Sequence, residues 1–332
     1  MNYVTRNVLA ITGACTFAIA AYSSNNSASV TSADRDAAQR AKSAHHAMPA
    51  DTEAGRALRR SGSPRSRDAA PAAPSPFTVK VRYPGDLVYN GGNVIDSAES
   101  HPIYMRPNGV CPVATCWGDP QAFLRDLGKS DRIHTVDEYV GLHGDNRYTL
   151  GKSANYDFTP QSTPFTDNDI VAIVHAVAVA SGETGYGHIY HVFLPTGIDE
   201  CFDSTFTQCY SPDNPGSFVF CAYHGYADFD DIGHVIYSVE PYQNVPGCRE
   251  PLGSPNGRLI DSTNDTLSHE LIEAITDPDL DAWWNSQGFG MYGEEVADEC
   301  IFEYPTNFKV GGRTWTAQLE YSNHEHACVA AP

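Results

Sequence analysis

The sequence predicts one α+β domain over residues 77–332, and three observations carry that prediction. Apolar runs of strand length and apolar stripes of helical period both occur, but they do not alternate strictly. Large apolar residues are nearly absent from residues 22–76 and frequent from Phe77 onward. Eight of the nine cysteines fall between Cys111 and Cys328, inside that body. The 256 residues of the body are enough for one domain with a proper core, and they contain no internal repeat or second linker.

The chain opens with one positive charge at Arg6, an apolar run from Val8 to Ala21, and small residues in Ala18-Ile19-Ala20. This is the three-part pattern of a secretory signal, placed at residues 1–21. The run is shorter than the roughly 20 residues of a membrane span, so no stable insertion is expected once it is removed. A secreted, extracellular or periplasmic protein follows. Residues 22–76 are rich in Ala, Ser, Arg and Pro, a composition predicted to stay disordered because it buries too little apolar surface. Arg59-Arg60 and Arg65-Ser66-Arg67 are candidate processing sites, so the segment reads as a spacer or a propeptide.

Charge divides at the same place. Residues 1–76 carry 9 Lys+Arg and 5 Asp+Glu, whereas the body carries 12 against 36. Such an acidic body excludes binding to nucleic acid or anionic membrane through its overall field. It suits cations, and it also suits simple solubility.

Along the body, the alternation of Phe77 to Tyr83 predicts a first strand and His101 to Met105 a second. Asp119-Pro120 opens a helix through Leu127 that Gly128 closes. Thr166 caps a helix over Ile170 to Ala180 that is apolar nearly all round and therefore buried; His175 within it reads as a core histidine. His188 to Leu194, Ser217 to His224 and Ile232 to Val239 are strands. Ser262-Thr263-Asn264 offers caps for a helix to Thr276, with Leu267, Leu271, Ile272 and Ile275 as its apolar stripe and Pro278 beyond it. Gly311-Gly312 turns a hairpin between Lys309 and Leu319.

The eight cysteines are an even number in an exported chain, which reads as four disulfides. Sequential pairing is the simplest arrangement, and Cys221–Cys248 and Cys300–Cys328 are its leading pairs. No two CxxC motifs exist to support a thiolate zinc site.

The chemistry concentrates in Ser268-His269-Glu270-Leu271-Ile272-Glu273. On a helix, His269 and Glu273 share one face, one turn apart, and can reach one Zn²⁺. Glu270 then lies beside the water such a metal would hold and serves as general base. This is the layout of the HExxH helix of zinc peptidases with its second His replaced by Glu, and it makes the expected domain zincin-like: a mixed sheet packed on an active-site helix. Asp261 to Glu303 contains twelve acidic residues and no Lys or Arg. Glu295 and Asp298 lie 22 and 25 positions past Glu273. One of them is a candidate third ligand, and the other a carboxylate that orients His269. His224, at a strand end beside Gly225, is a candidate transition-state donor or extra ligand.

Two other readings stay open. Glu270 and Glu273 also fit the solvated face of a surface helix. Asp277, Asp279 and Asp281 resemble the start of a calcium loop, although Ala282 stands where that loop requires Gly. No G-x-S-x-G motif and no phosphate loop occur.

The run Ser268 to Pro278, then Ala282-Trp283, then Glu295-Val296-Ala297-Asp298-Glu299-Cys300, resembles the exordium or phosphate-induced protein family and its secreted bacterial relatives. Cys221-Ala222-Tyr223-His224-Gly225, Tyr190 to Pro195 and Tyr89-Asn90-Gly91-Gly92 are similar to further segments of that family. Trp284 and the Asn285-to-Gly293 link depart from its pattern. The resemblance implies secretion, a zinc-peptidase-like core and an association with the cell wall. The expected function is a secreted zinc-dependent hydrolase acting on a protein, peptide or cell-wall substrate. The alternative is a non-catalytic extracellular protein whose metal site is structural or vestigial.

Overall fold

A computed structural model describes residues 27–61, 85–285, 294–301 and 303–332. The expected signal at residues 1–21 and the strand at Phe77 to Tyr83 lie outside the described residues.

The chain is α+β, built on one mixed eight-stranded sheet. Its strands are β1 (Ser27–Ala28), β2 (Lys42–Pro49), β3 (Ala98–Pro107), β4 (Tyr148–Leu150), β5 (Ala154–Phe158), β6 (His188–Phe193), β7 (Phe220–Phe229) and β8 (Gly233–Glu240). The spatial order is β1-β5-β3-β6-β8-β7-β2, with β4 beside β3. From β1 to β8 the neighbours run parallel, whereas β7 is antiparallel to both β8 and β2.

The main helices are α1 (Ser32–Arg40), α2 (Glu53–Ser61), α3 (Pro120–Leu127), α4 (Asp167–Ser181) and α5 (Arg258–Thr276). Successive residues of a strand face opposite sides, and both sides of this sheet are covered. Ile103, Val192, Val235 and Val239 face α4, where Ile170, Val171 and Val174 fill the core. Tyr104, Ile189, Phe193 and Ile236 face the other way, onto Leu267, Leu271 and Ile275 of α5 and onto Trp117 and Phe123.

The expected elements fall close to their predicted places. Thr166 caps α4 through a capping box with Asp169. His175 is a satisfied core histidine, with Nδ1 2.8 Å from Asp34 Oδ1. The hairpin forms between Thr306–Val310 and Arg313–Ala317, and Gly311 and Gly312 take φ 56° and 85° at its turn. All four disulfides are sequential: Cys111–Cys116, Cys201–Cys209, Cys221–Cys248 and Cys300–Cys328. No described helix is long and apolar enough to cross a membrane.

Three expectations are corrected. Helix α5 begins a turn before the proposed caps. Gly257, at φ 98°, turns the chain into it, and Asp261 receives the Asn256 backbone and side-chain N–H groups at 3.0 and 2.9 Å. Ser262, Thr263 and Asn264 are interior instead, with Thr263 Oγ1 bonded to the Leu259 carbonyl.

The solvated-face reading of Glu270 and Glu273 also fails, because both are 0% exposed. Helix α5 is buried from Asp261 to Thr276, so its polar face meets the sheet rather than water.

Residues 27–61, expected to be disordered along with the rest of 22–76, form β1, α1, β2 and α2. Thr31 and Asp34 make a capping box that starts α1, and β2 supplies the outer strand beside β7. Low intrinsic hydrophobicity is offset there by backbone pairing with a sheet that the rest of the chain has already built.

Candidate metal centre

Helix α5 lies across the face of β7 and β8, and polar groups from α5, β7, β2 and the Asp298 turn meet beneath it. His269 and Glu273 are one turn apart on α5, with His269 Nε2 3.2 Å from Glu273 Oε2. Asp298 comes from a short 3₁₀ turn, Asp298–Cys300, that the Cys300–Cys328 disulfide secures. Its Oδ1 is 3.6 Å from His269 Nε2, and its backbone N–H donates to Glu273 Oε1 at 3.1 Å.

Tetrahedral zinc with bonds of about 2.0–2.2 Å holds its ligand atoms roughly 3.3–3.6 Å apart. In the trio His269, Glu273 and Asp298, the imidazole stands at about that spacing from each carboxylate. Glu295 and Asp298 do not share a helix face. A turn brings both carboxylates in, but to different neighbours.

His224 is buried on β7, with Nδ1 3.4 Å from Glu270 Oε2 and 3.6 Å from Glu273 Oε2. Its Nε2 is 3.6 Å from Glu295 Oε2. His46, on the neighbouring strand β2, stands directly opposite His224 in register. His46 Nε2 is 2.6 Å from Asp298 Oδ2. Two overlapping groups thus have metal-binding size, His46–Glu273–Asp298 and His224–Glu270–Glu273, and they share Glu273.

The electrostatics are those of a buried mixed-charge cluster. Burial pushes the Glu270 carboxyl up, against the opposing pull of His224 and His269, to about 7. Burial opposes the charge on His224, but Glu270 and Glu273 outweigh it and raise the imidazole to about 9. His269 is likewise held well above its ordinary value, because the neighbouring Glu273, Glu270 and Asp298 overcome its desolvation. Glu273 is held well below its ordinary value despite burial, by His269 and His224 above all.

The hydrogen bonds leave a gap. His46 Nδ1, His224 Nδ1, His269 Nε2, both Glu270 oxygens, Glu273 Oε2 and Asp298 Oδ1 are buried without a hydrogen-bond partner. Each such atom costs about 1–3 kcal/mol in a folded interior. They concentrate at one point, every one is of a metal-ligand type, and a bound cation would satisfy them together.

Sequence reasoning assigned the orientation of His269 to an acid. The structure gives that task to Gln318, which follows the 306–317 hairpin. Its Nε2 donates to the carbonyl of Ala297 at 2.6 Å, which turns Oε1 toward His269 Nδ1 at 3.2 Å. Nδ1 must then carry a proton, and Nε2 is the nitrogen that faces Glu273 and Asp298 and would be free to bind a cation. His46 and Gln318 were both missed. The capping box Thr31-Ser32-Ala33-Asp34 was a legible signal that the His46 segment folds. Nothing local marks Gln318.

The calcium reading is not supported. Asp277 Oδ1 accepts from the Ala282 N–H at 2.6 Å, while Asp279 is engaged by Tyr186, Asn93 and His234. Asp277, Asp279 and Asp281 form no metal-sized group among the described residues.

No family model matches the chain, and neither does any curated protein or solved structure.

Proposed function

We propose that this chain is a metal-dependent hydrolase of the peptidase type with a zincin-like core, in keeping with its resemblance to exordium-like secreted proteins. The observation that supports it is the ring of buried, unpartnered ligand atoms around His269, Glu273 and Asp298. A divalent cation, with zinc the best fit to one imidazole and two carboxylates in a tetrahedral space, would supply Lewis acidity and lower the pKa of a water. His269, Glu273 and Asp298 would hold the cation. Glu270, one residue along α5 and held near neutrality, would take the proton from the attacking water. His224, beside Glu270, would donate to the developing oxyanion or return the proton to the leaving group. A protein, peptide or cell-wall peptide is the proposed substrate, and an exported protein the proposed setting.

A second reading, a non-catalytic protein with a structural metal, is favoured by one observation. The whole cluster is buried, and His46 adds a second imidazole to the carboxylates of Glu273 and Asp298, as a closed structural site would have.

The two readings separate by metal analysis and by Glu270→Gln assayed on a mixed protein substrate. The hydrolase reading expects about one bound divalent ion in both proteins and a loss of turnover on the order of 10²-fold or more in the variant. Full turnover by Glu270→Gln would remove it. A bound ion with no hydrolysis by either protein, and none by His46→Ala, would leave the structural reading.

A further inference from the structure

Residues 27–61 run across the whole domain as a strap. Strand β1 pairs with β5 at one edge of the sheet, and α1 crosses α4, where Asp34 meets His175. Strand β2 then pairs with β7 at the opposite edge, and in α2 Arg59 makes a forked ion pair with Glu294.

This strap delivers a ligand. His46 is 2% exposed, and its imidazole belongs to the metal-sized group with Glu273 and Asp298. The 2.6 Å contact of Nε2 with Asp298 Oδ2 is a hydrogen bond that a shared cation replaces after a small movement. His45, the next residue, faces the other side of the sheet toward Asp167. The alternation of the strand therefore selects which imidazole enters the centre.

We propose that His46 is a fourth, removable protein ligand of the metal centre, and that the strap holds the centre closed. The proposal rests on the metal-centre reading above. With His269 at 3.2 and 3.6 Å from Glu273 and Asp298, the four side chains would complete a cation's set and leave no position for water or substrate. Withdrawal of β2 removes one of the four, exposes the α5 face of β7, and converts a closed centre into one with an open position.

The attachment is suited to release. Among the strap side chains that are described, the buried apolar ones are Ala37, Ala38, Ala47, Met48 and Ala50, so four of these five are alanine. Its hold on the sheet rests mainly on backbone pairing, which any displacing strand can replace. The close approach of β2 also depends on one glycine. A Cβ on Gly225 of β7 would stand 2.2 Å from the Ala44 carbonyl oxygen and 2.9 Å from His45 Cα.

The test loads the full chain with Co²⁺, reads its visible absorption, and then adds azide. Wild type should give a four-coordinate spectrum that azide does not move. His46→Ala should bind Co²⁺ with a shifted spectrum, respond to azide, and lose the ion to EDTA at least tenfold faster. Gly225→Ala keeps every ligand and displaces only the strap, so it should behave in the same way. His46→Gln keeps the strand pairing and takes the place of His46→Ala if that variant does not fold. A His46 variant with the wild-type spectrum and no azide response would overturn the proposal, as would azide binding by wild type. If wild type takes up no Co²⁺, or His269→Ala takes it up equally, the metal-centre reading falls and this proposal with it.

Discussion

Strand β7 separates two buried acidic clusters, and they solve the same problem in different ways. Tyr223 faces α4 and His224, the next residue, faces α5. On the α4 side the Tyr223 hydroxyl is 3.0 Å from both Asp167 Oδ1 and Glu200 Oε1, and the Tyr237 hydroxyl donates to Asp167 at 2.7 Å. Those hydroxyls hold their protons, because burial and the adjacent carboxylates push both tyrosines well above their ordinary range. Burial likewise raises the Glu200 carboxyl far above its ordinary value. On the α5 side the partners are imidazoles, and seven ligand atoms are left without a hydrogen bond. A tyrosine satisfies a buried acid by donating a proton. An imidazole facing carboxylates offers a lone pair as well, and a cation can satisfy all of them together. One face of the strand is therefore closed structure, and the other is poised for a ligand.

The contrast can be broken most decisively with added metal. Zinc at a thousandfold excess over its dissociation constant should stabilise wild type by about 4 kcal/mol. His269→Ala should abolish that stabilisation, and Tyr237→Phe should leave it intact. Thermal unfolding with and without zinc reads both, and a metal-dependent shift retained by His269→Ala would erase the distinction between the faces.

The next effect concerns the orientation of His269. Gln318→Leu removes the acceptor of the Nδ1 proton and should weaken metal binding roughly 10–100-fold, beyond the cost of about 1–3 kcal/mol to the metal-free fold from the orphaned Ala297 carbonyl. Titration with a competing chelator measures it. Unchanged affinity would mean that Gln318 does not set the tautomer.

The third effect tests the closed face through pH. Glu200 has a folded-state pKa raised above its unfolded value near 4.5. Its contribution to stability is complete below that pH and is lost as pH rises toward the folded value, because the unfolded chain ionises first. Glu200→Gln should therefore unfold at a higher denaturant concentration than wild type at pH 7, with the gap closing toward pH 4. A constant gap over that range would show that Glu200 is charged in the fold.

The smallest effect is that of Tyr237→Phe, which removes one buried hydrogen bond and should cost about 1 kcal/mol without a metal-linked component. Equilibrium denaturation checks it.

The sequence by itself determined what local signals and spacing can encode. The capped helix α4, the glycine turn at 311–312, the sequential disulfides and the α+β character all follow from short-range patterns. So does the pairing of His269 with Glu273, because a helix places residues four apart on one face whatever surrounds it. Charge density and the Cys300 disulfide pointed to Asp298, yet the sharing of tasks was decided only by tertiary structure. Gln318 is 49 residues from His269 and reaches it because a hairpin folds back over the Asp298 turn. His46 is 252 residues from Asp298 and reaches it because a strand of low hydrophobicity finds an open sheet edge to pair with. Edge pairing is a backbone interaction that needs little from side chains, so composition gave no sign of it. The burial of Glu270 and Glu273 was likewise invisible locally. The same polar helix face can meet water or a sheet, and only the packing of α5 against β7 and β8 decides which.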